Sequence, residues 1–276
     1  MDNDIKKLHG IIFDSGKAVI LMQKHKYPIL EFDETKDAYI NPSILSDYAE
    51  GKSKCDKLVI CFFREAIDEL IAKGNVETYA FVKGENSYTF YKFVDSNTLL
   101  VHGVIGGPFC GGVLEEAIAF GVSKIMFCGG AGSLVREITK GKLVIITSAI
   151  RDEGMSYHYA PPAREITTNP KVVNIIADYL AKIGIEFTTG KTWTTDAFYR
   201  ETKALVQARR DEGAIVVEME QAGLIAVAAF RGVDYGAIVY GGDDLSQEIW
   251  DGRKWKSEKA IRARLTMICK EIVQNL

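Results

Sequence analysis

Residues 214–246 set the strongest constraint on the fold. Ala214–Val217 reads as a strand running into Glu218-Met219-Glu220. Gln221–Phe230 reads as a helix of mostly small residues, closed by Arg231-Gly232. Tyr235–Tyr240 reads as a second strand, ending on Gly241-Gly242-Asp243-Asp244. A helix lying close on a sheet needs small residues, so strand, helix and strand pack as one unit. That packing does not require carboxylates at both ends of the unit.

The same alternation extends over the chain. Val19–Met22 and Leu58–Phe63 read as buried strands, although the second could equally open a helix running to Lys73. Tyr79–Lys83 and Tyr88–Phe93 flank a hairpin turn at Gly84-Glu85-Asn86-Ser87. Leu99–Val104, Lys124–Cys128 and Leu143–Ser148 read as strands, and Leu114–Phe120 as a helix. Pro170–Ile183 is an amphipathic helix with Pro170 in its first turn and Gly184 at its end. Phe187–Thr195 reads as a strand with exposed threonines, Lys203–Glu212 as a charged surface helix and Ser257–Gln274 as a terminal helix. Strands alternating with helices argue for an α/β sheet, and no linker or repeat divides the chain.

Composition removes several function classes. Hydrophobic residues make up 47% of 276 residues, enough to bury a large core. A net charge of −3 leaves no basic footprint for a nucleic-acid polymer. The cysteines, Cys55, Cys61, Cys110, Cys128 and Cys269, are scattered without a C-x-x-C pair, which argues against a zinc site or disulfide framework and for free thiols in a reducing cytosol. The N-terminus has no apolar h-region, and no apolar run approaches the roughly 18 residues of a membrane span. A cytoplasmic protein without metal or redox cofactor is expected.

Gly129-Gly130-Ala131-Gly132-Ser133 follows a strand, where it is either a ligand loop or a tight turn. Val135 stands where a dinucleotide fingerprint needs its last glycine. Gly103-Val104-Ile105-Gly106-Gly107-Pro108 is a second glycine turn.

Together, Val217-Glu218-Met219-Glu220-Gln221-Ala222-Gly223 and the later Gly-Gly-Asp-Asp closely resemble the signature of the nucleoside phosphorylase family, which includes purine and uridine phosphorylases and related nucleosidases. The resemblance implies one domain over 1–276, with a central mixed β-sheet, partly barrel-like, flanked by helices, and an insertion around 28–75. It is firm over about 100–245. It also implies cleavage of a nucleoside's N-glycosidic bond with inorganic phosphate as co-substrate, or with water, by a homo-oligomer of two to six copies. A non-catalytic nucleoside-binding protein is the alternative from another class.

Glycosidic cleavage builds positive charge on the sugar and negative charge on the base, and carboxylates suit both ends. By the resemblance Glu220 binds the ribose hydroxyls, with Met219 packed on the sugar and Glu218 beside them. Asp243 stands 23 residues after Glu220, at the spacing where purine-type members place their general acid. Asp244 is its rival if the register slips. Asp196-Ala197-Phe198-Tyr199 resembles the family's Asp-x-Phe-Tyr, which makes Phe198 the base platform, and stacking of this kind is worth about 1–3 kcal/mol per base. Gly129, Gly130, Ala131 and Gly132 line the pocket.

Other features pull in different directions. Arg151–Pro161 is similar to a segment of the uridine branch, yet Thr202 and Ala204 replace the glutamine and arginine that read uracil there. Phe127 stands in place of a phosphate-gripping arginine, and Gly130 in place of a hydroxyl residue. Gln23-Lys24-His25-Lys26-Tyr27-Pro28 replaces the family's Gly-Asp-Pro-x-Arg. Lys24, Lys26 or Arg64 and the Gly106 turn are then the candidates for phosphate, although lysine offers only a point charge where arginine grips bidentately. His158 is expected to be structural, and His9 is a candidate for reaching a neighbouring copy's site.

Overall fold

A computed structural model describes residues 11–14, 17–20, 24–254 and 258–276. Strands β1 (Ile11–Asp14) and β2 (Lys17–Ile20) form an antiparallel pair. The sequence reading of that region ran to Met22, which lies outside the described residues.

The main sheet is built around β3 (Lys57–Cys61), which settles the Leu58–Phe63 ambiguity in favour of a strand. Helix α1 (Arg64–Ala72) follows it after a short turn. Leu58 and Ile60 face one core, Val59 and Cys61 the other. A strand covered on both faces reads as a continuous apolar run rather than an alternating one. Hairpin strands β4 (Val76–Val82) and β5 (Tyr88–Phe93) pair antiparallel, and β6 (Thr98–His102) lies parallel to β3. Of the stretch expected as an insertion, residues 57–72 form this central strand and helix, while residues 28–49 contribute only short 3₁₀ turns.

The second half supplies helix α2 (Gly107–Ala119), β7 (Lys124–Ser133), β8 (Leu143–Asp152), β9 (Glu165–Thr167), α3 (Pro170–Lys182) and β10 (Phe187–Thr195). Then come α4 (Lys203–Asp211), β11 (Ala214–Glu218), α5 (Gln221–Arg231), β12 (Asp234–Asp244) and α6 (Lys259–Ile272). The strand order is β11-β10-β8-β12-β7-β3-β6-β5-β4, with both parallel and antiparallel neighbours. Strand β11 also pairs antiparallel with β7, Val216 opposite Ser133 and Val217 opposite Gly132. That pairing closes β11, β10, β8, β12 and β7 into a ring, which makes the mixed sheet partly a barrel.

Helices α2 and α5 cover one face of the sheet, and α1, α3 and α6 the other. Two glycine-rich stretches prove to be strand. The 129–133 glycine stretch continues β7, and Gly241–Asp244 continues β12. The register explains this: β12 runs parallel to β7 from Asp234↔Lys124 to Gly241↔Ala131, so each strand carries its glycines as far as the other. Helix α2 starts earlier than its apolar pattern, at Gly107-Pro108, because proline fits a first helical turn.

The small residues of the α2–α5 crossing surround one side chain. A Cβ on Gly111 would stand 2.4 Å from Met155 Cε, and one on Gly223 3.1 Å from Met155 Cγ. Met155 thus wedges between the two helices where only glycine leaves room. All five cysteines are free and buried. No helix among the described residues is long and apolar enough to cross a membrane.

Candidate functional site

Glu218 sits at the end of β11, where the chain turns into α5. Its Oε2 accepts the backbone N–H groups of Glu220 and Gln221, each at 2.7 Å. Its Oε1 accepts the hydroxyls of Thr192 at 3.0 Å and Thr194 at 2.6 Å. A carboxylate at a helix start, with four donors, is held by charge and geometry together. The sequence reading that left the β10 threonines exposed holds for Thr189 and is corrected for Thr192, Thr194 and Thr195, which are buried, the first two facing Glu218.

Glu220 is 5% exposed. Its Oε1 accepts the Gly106 N–H at 2.8 Å and its Oε2 the Met219 N–H at 3.3 Å. Burial raises both glutamates above the ordinary carboxylate range, and the charge of Glu218 adds to the effect on Glu220. Glu218 already has four donors, so Glu220 is the member of the pair that holds a proton more readily. Gly106, expected near phosphate, has its amide committed to Glu220, and its φ of 103° is one that glycine adopts freely.

Asp243 and Asp244 close β12 with opposite fates. Asp244 is 4% exposed and pairs with Arg253, while its Oδ1 accepts the Ser246 N–H at 2.8 Å. Asp243 faces a cavity, where its Oδ2 accepts the Trp250 indole N–H at 2.7 Å. A Cβ on Gly132 would stand 3.5 Å from Asp243 Oδ1 and 2.9 Å from Val217 Cγ1, so this glycine keeps the end of β7 open.

That cavity measures about 650 Å³, within the usual range of small-molecule sites. Glu218, Met219, Glu220 and Asp243 all line it, as do Gly130, Ala131 and Gly132. So does Phe198, 49% exposed, on the 3₁₀ turn Phe198–Arg200. The structure therefore brings Glu218, Glu220 and Asp243 and the aromatic ring to one space, and leaves Asp244 outside it.

Other expected residues lie elsewhere. Gly129 stands behind the wall, since a Cβ there would meet the Phe127 ring at 2.8 Å. Lys24 and Lys26 are exposed and away from the cavity. The physical reason is that the segment carrying them is not paired to the main sheet. His158 is exposed and off the cavity as well. His9 lies outside the described residues. Arg151, in the segment that resembles the uridine branch, donates to Ser156 Oγ at 2.8 Å and to the carbonyls of Ala160 and Pro161. It holds the turn that presents Met155.

Sequence reading missed Phe62, Glu201 and Trp250, all of which line the cavity. Phe62 stacks at 5.0 Å on Phe127, and a Cβ on Gly103 would overlap its ring. The glycines of two strand ends are thus capped by phenyl rings. Glu201 ends the turn that carries Phe198, and its backbone N–H donates to the Phe198 carbonyl at 3.2 Å. Burial, then the charge of Asp243, pushes its carboxyl up to about 7. Among the described residues no lysine, arginine or histidine lines the cavity.

A family model described as the phosphorylase superfamily matches residues 56–273. The chain is 29% identical over 178 residues to guanosine phosphorylase of Halorubrum lacusprofundi, covering 59% of this chain and 72% of that protein. A crystal structure of uridine phosphorylase from Vibrio fischeri superposes with a TM-score of 0.68 at 21% identity, over 80% of this chain and 92% of that one. AMP nucleosidase from Bacteroides thetaiotaomicron superposes with a TM-score of 0.66 at 18% identity, over 85% and 97%. At those two identities the likeness is one of fold.

Proposed function

The chain belongs to the phosphorylase superfamily, and from that premise we propose that it breaks the N-glycosidic bond of a nucleoside. One observation carries the reading: Glu220 and Asp243, from two different strand ends, line the same cavity as the Phe198 ring. Glu220, steadied by the Gly106 amide, would hold the ribose hydroxyls, with Met219 against the sugar. Phe198 would stack on the base, and the carboxyls of Asp243 and Glu201 would face its edge. A carboxyl at the base offsets the negative charge that grows there as the bond breaks. A carboxylate at the sugar favours its oxocarbenium character.

Of the two acceptors, water fits this cavity better than phosphate. A phosphate dianion would be buried with phenyl rings behind it and, among the described residues, no lysine, arginine or histidine in the cavity lining, and an unpaired charge in a low-dielectric site is costly. The fold accommodates either chemistry, since the Vibrio fischeri protein is a uridine phosphorylase and the Bacteroides thetaiotaomicron one an AMP nucleosidase.

The test follows base release from a panel of purine and pyrimidine nucleosides, with and without phosphate. Free ribose in phosphate-free buffer supports hydrolysis. Ribose 1-phosphate, formed only with phosphate, overturns the choice of acceptor and means that a cation reaches the cavity from a second copy of the chain. Tight nucleoside binding without turnover leaves the non-catalytic reading. Tyr199, Ile249 and Trp250 are exposed by 88%, 81% and 64%. These rim residues support a homo-oligomer in which a second copy covers the mouth, which light scattering checks.

A further inference from the structure

We propose that Glu201 is the group that delivers the proton to the departing base, with Asp243 as the acceptor partner that holds the base edge beside it. The assignment rests on the reading of the cavity as a nucleoside-cleaving site.

Three features of the geometry point to Glu201. It ends the short turn that presents Phe198, and the Glu201 N–H bonded to the Phe198 carbonyl fixes acid and platform as one piece. A base stacked on Phe198 therefore lies beside Glu201 whatever its ring size. Secondly, Glu201 shares the cavity with Asp243, which approaches from the end of β12. Of the titratable groups around it among the described residues, Asp243 is the one whose charge acts on it; Tyr199 lies on its own turn, and Glu218 and Glu220 share the cavity from beyond β11. Thirdly, the two carboxyls are held differently. Asp243 Oδ2 already accepts the Trp250 indole N–H, whereas among the described residues no hydrogen bond acts on the Glu201 carboxyl. Burial and the neighbouring Asp243 charge favour the protonated form of the Glu201 carboxyl. Burial and the Asp243 charge place Glu201 at about 7, where an acid is both loaded and able to release near neutral pH. Neither Phe198 nor Asp243 combines these properties.

The step balances as follows. The bond between the anomeric carbon and the base nitrogen breaks, and its electron pair stays with the base. The Glu201 carboxyl proton goes to a ring nitrogen of the base, leaving a carboxylate. The acceptor oxygen, from water in the reading above, bonds to the anomeric carbon and releases its proton to solvent, from which Glu201 is reloaded. A donor beside an acceptor suits a base edge that presents an acceptor nitrogen next to an N–H, as the N7 and 6-amino groups of a 6-aminopurine do.

The test compares wild type and Glu201→Gln on a nucleoside and on p-nitrophenyl riboside, whose leaving group departs without a proton. The loss in kcat on the nucleoside is expected to be roughly 10²-fold or more, and to exceed the loss on the p-nitrophenyl glycoside by at least about tenfold. The fall in wild-type activity as pH rises through about 7 should vanish in Glu201→Gln. In Asp243→Asn it should move to lower pH, because the like charge that raises Glu201 is gone. Equal loss on both glycosides, with the pH limb unchanged, overturns the assignment and leaves Glu201 a positioning residue. Wild-type inertness toward both glycosides overturns the cleavage reading itself, and the assignment with it. Far-ultraviolet circular dichroism and a second variant, Glu201→Ala, guard against misfolding, since Ala must show the same split between substrates.

Discussion

The Gly106 amide donates a 2.8 Å hydrogen bond to Glu220 Oε1, joining the start of α2 to the start of α5. The acid-bearing segment at 217–223 and the glycine turn at 103–108 are thus not separate features. One supplies the carboxylate, and the other supplies the donor that aims it. Glu220→Gln keeps an acceptor for that amide while removing the group that can ionise. It should lower kcat/KM by roughly 10²-fold or more, with stability within about 1 kcal/mol of wild type or above it, because a buried carboxyl whose ionised form is costly is gone. Steady-state kinetics and urea unfolding on one preparation check both halves.

Glu218 has the opposite profile. Glu218→Ala strands two backbone N–H groups and two buried hydroxyls, those of Thr192 and Thr194. Loss of the carboxylate at the start of α5 together with unsatisfied buried donors should cost about 2–4 kcal/mol. A lower urea midpoint at unchanged slope is the expected result. A midpoint equal to wild type would show that α5 does not depend on this side chain.

The Met155 wedge gives a packing prediction. Gly111→Val places branched carbon where Met155 Cε stands 2.4 Å from a Cβ, and overpacking of this kind typically costs about 1–3 kcal/mol. Met155→Ala alone should also destabilise. The double variant should lose less than the sum of the two, by about 1 kcal/mol in a double-mutant cycle. Strict additivity would mean that the two residues do not meet.

Stability should also carry a pH signature from Glu201. Its folded-state value of about 7 lies above the ordinary 4.5, so between those values the folded chain binds more protons than the unfolded one. Stability from this group therefore falls as pH rises through that window and levels off above about 7. Glu201→Gln should flatten the fall by about 1–2 kcal/mol, less than the whole shift would give because the carboxyl is partly exposed. Thermal melts of both proteins from pH 5 to 8 measure the difference.

What could be seen in advance follows a physical rule. Glu218, Glu220 and Asp243 were singled out by the family resemblance, and the ends of β11 and β12 near which they stand also form the cavity wall. Phe198 was legible through its four-residue motif. Glu201 and Trp250 carry no such local mark. They reach the cavity because a short turn and the loop after β12 are folded over it, which depends on contacts far along the chain. The threonines of β10 misled because alternation marks the two faces of a strand but not which face is covered. When a sheet closes on itself, the inner face buries polar side chains around a carboxylate, and Thr192 and Thr194 do this. The glycines at 129–132 and 241–242 misled for a related reason, since paired strands carry glycine wherever the backbones must curve.

The closure of β11 onto β7 has one further effect. Strand β7 pairs with β12, β3 and β11 at once, and its glycine end forms part of the cavity. Unzipping at Gly132–Ser133 would therefore separate the sugar-facing carboxylates from the base-facing one in a single event. Partial opening of the barrel should abolish turnover well before the molecule melts, so heat inactivation would begin at a lower temperature than unfolding.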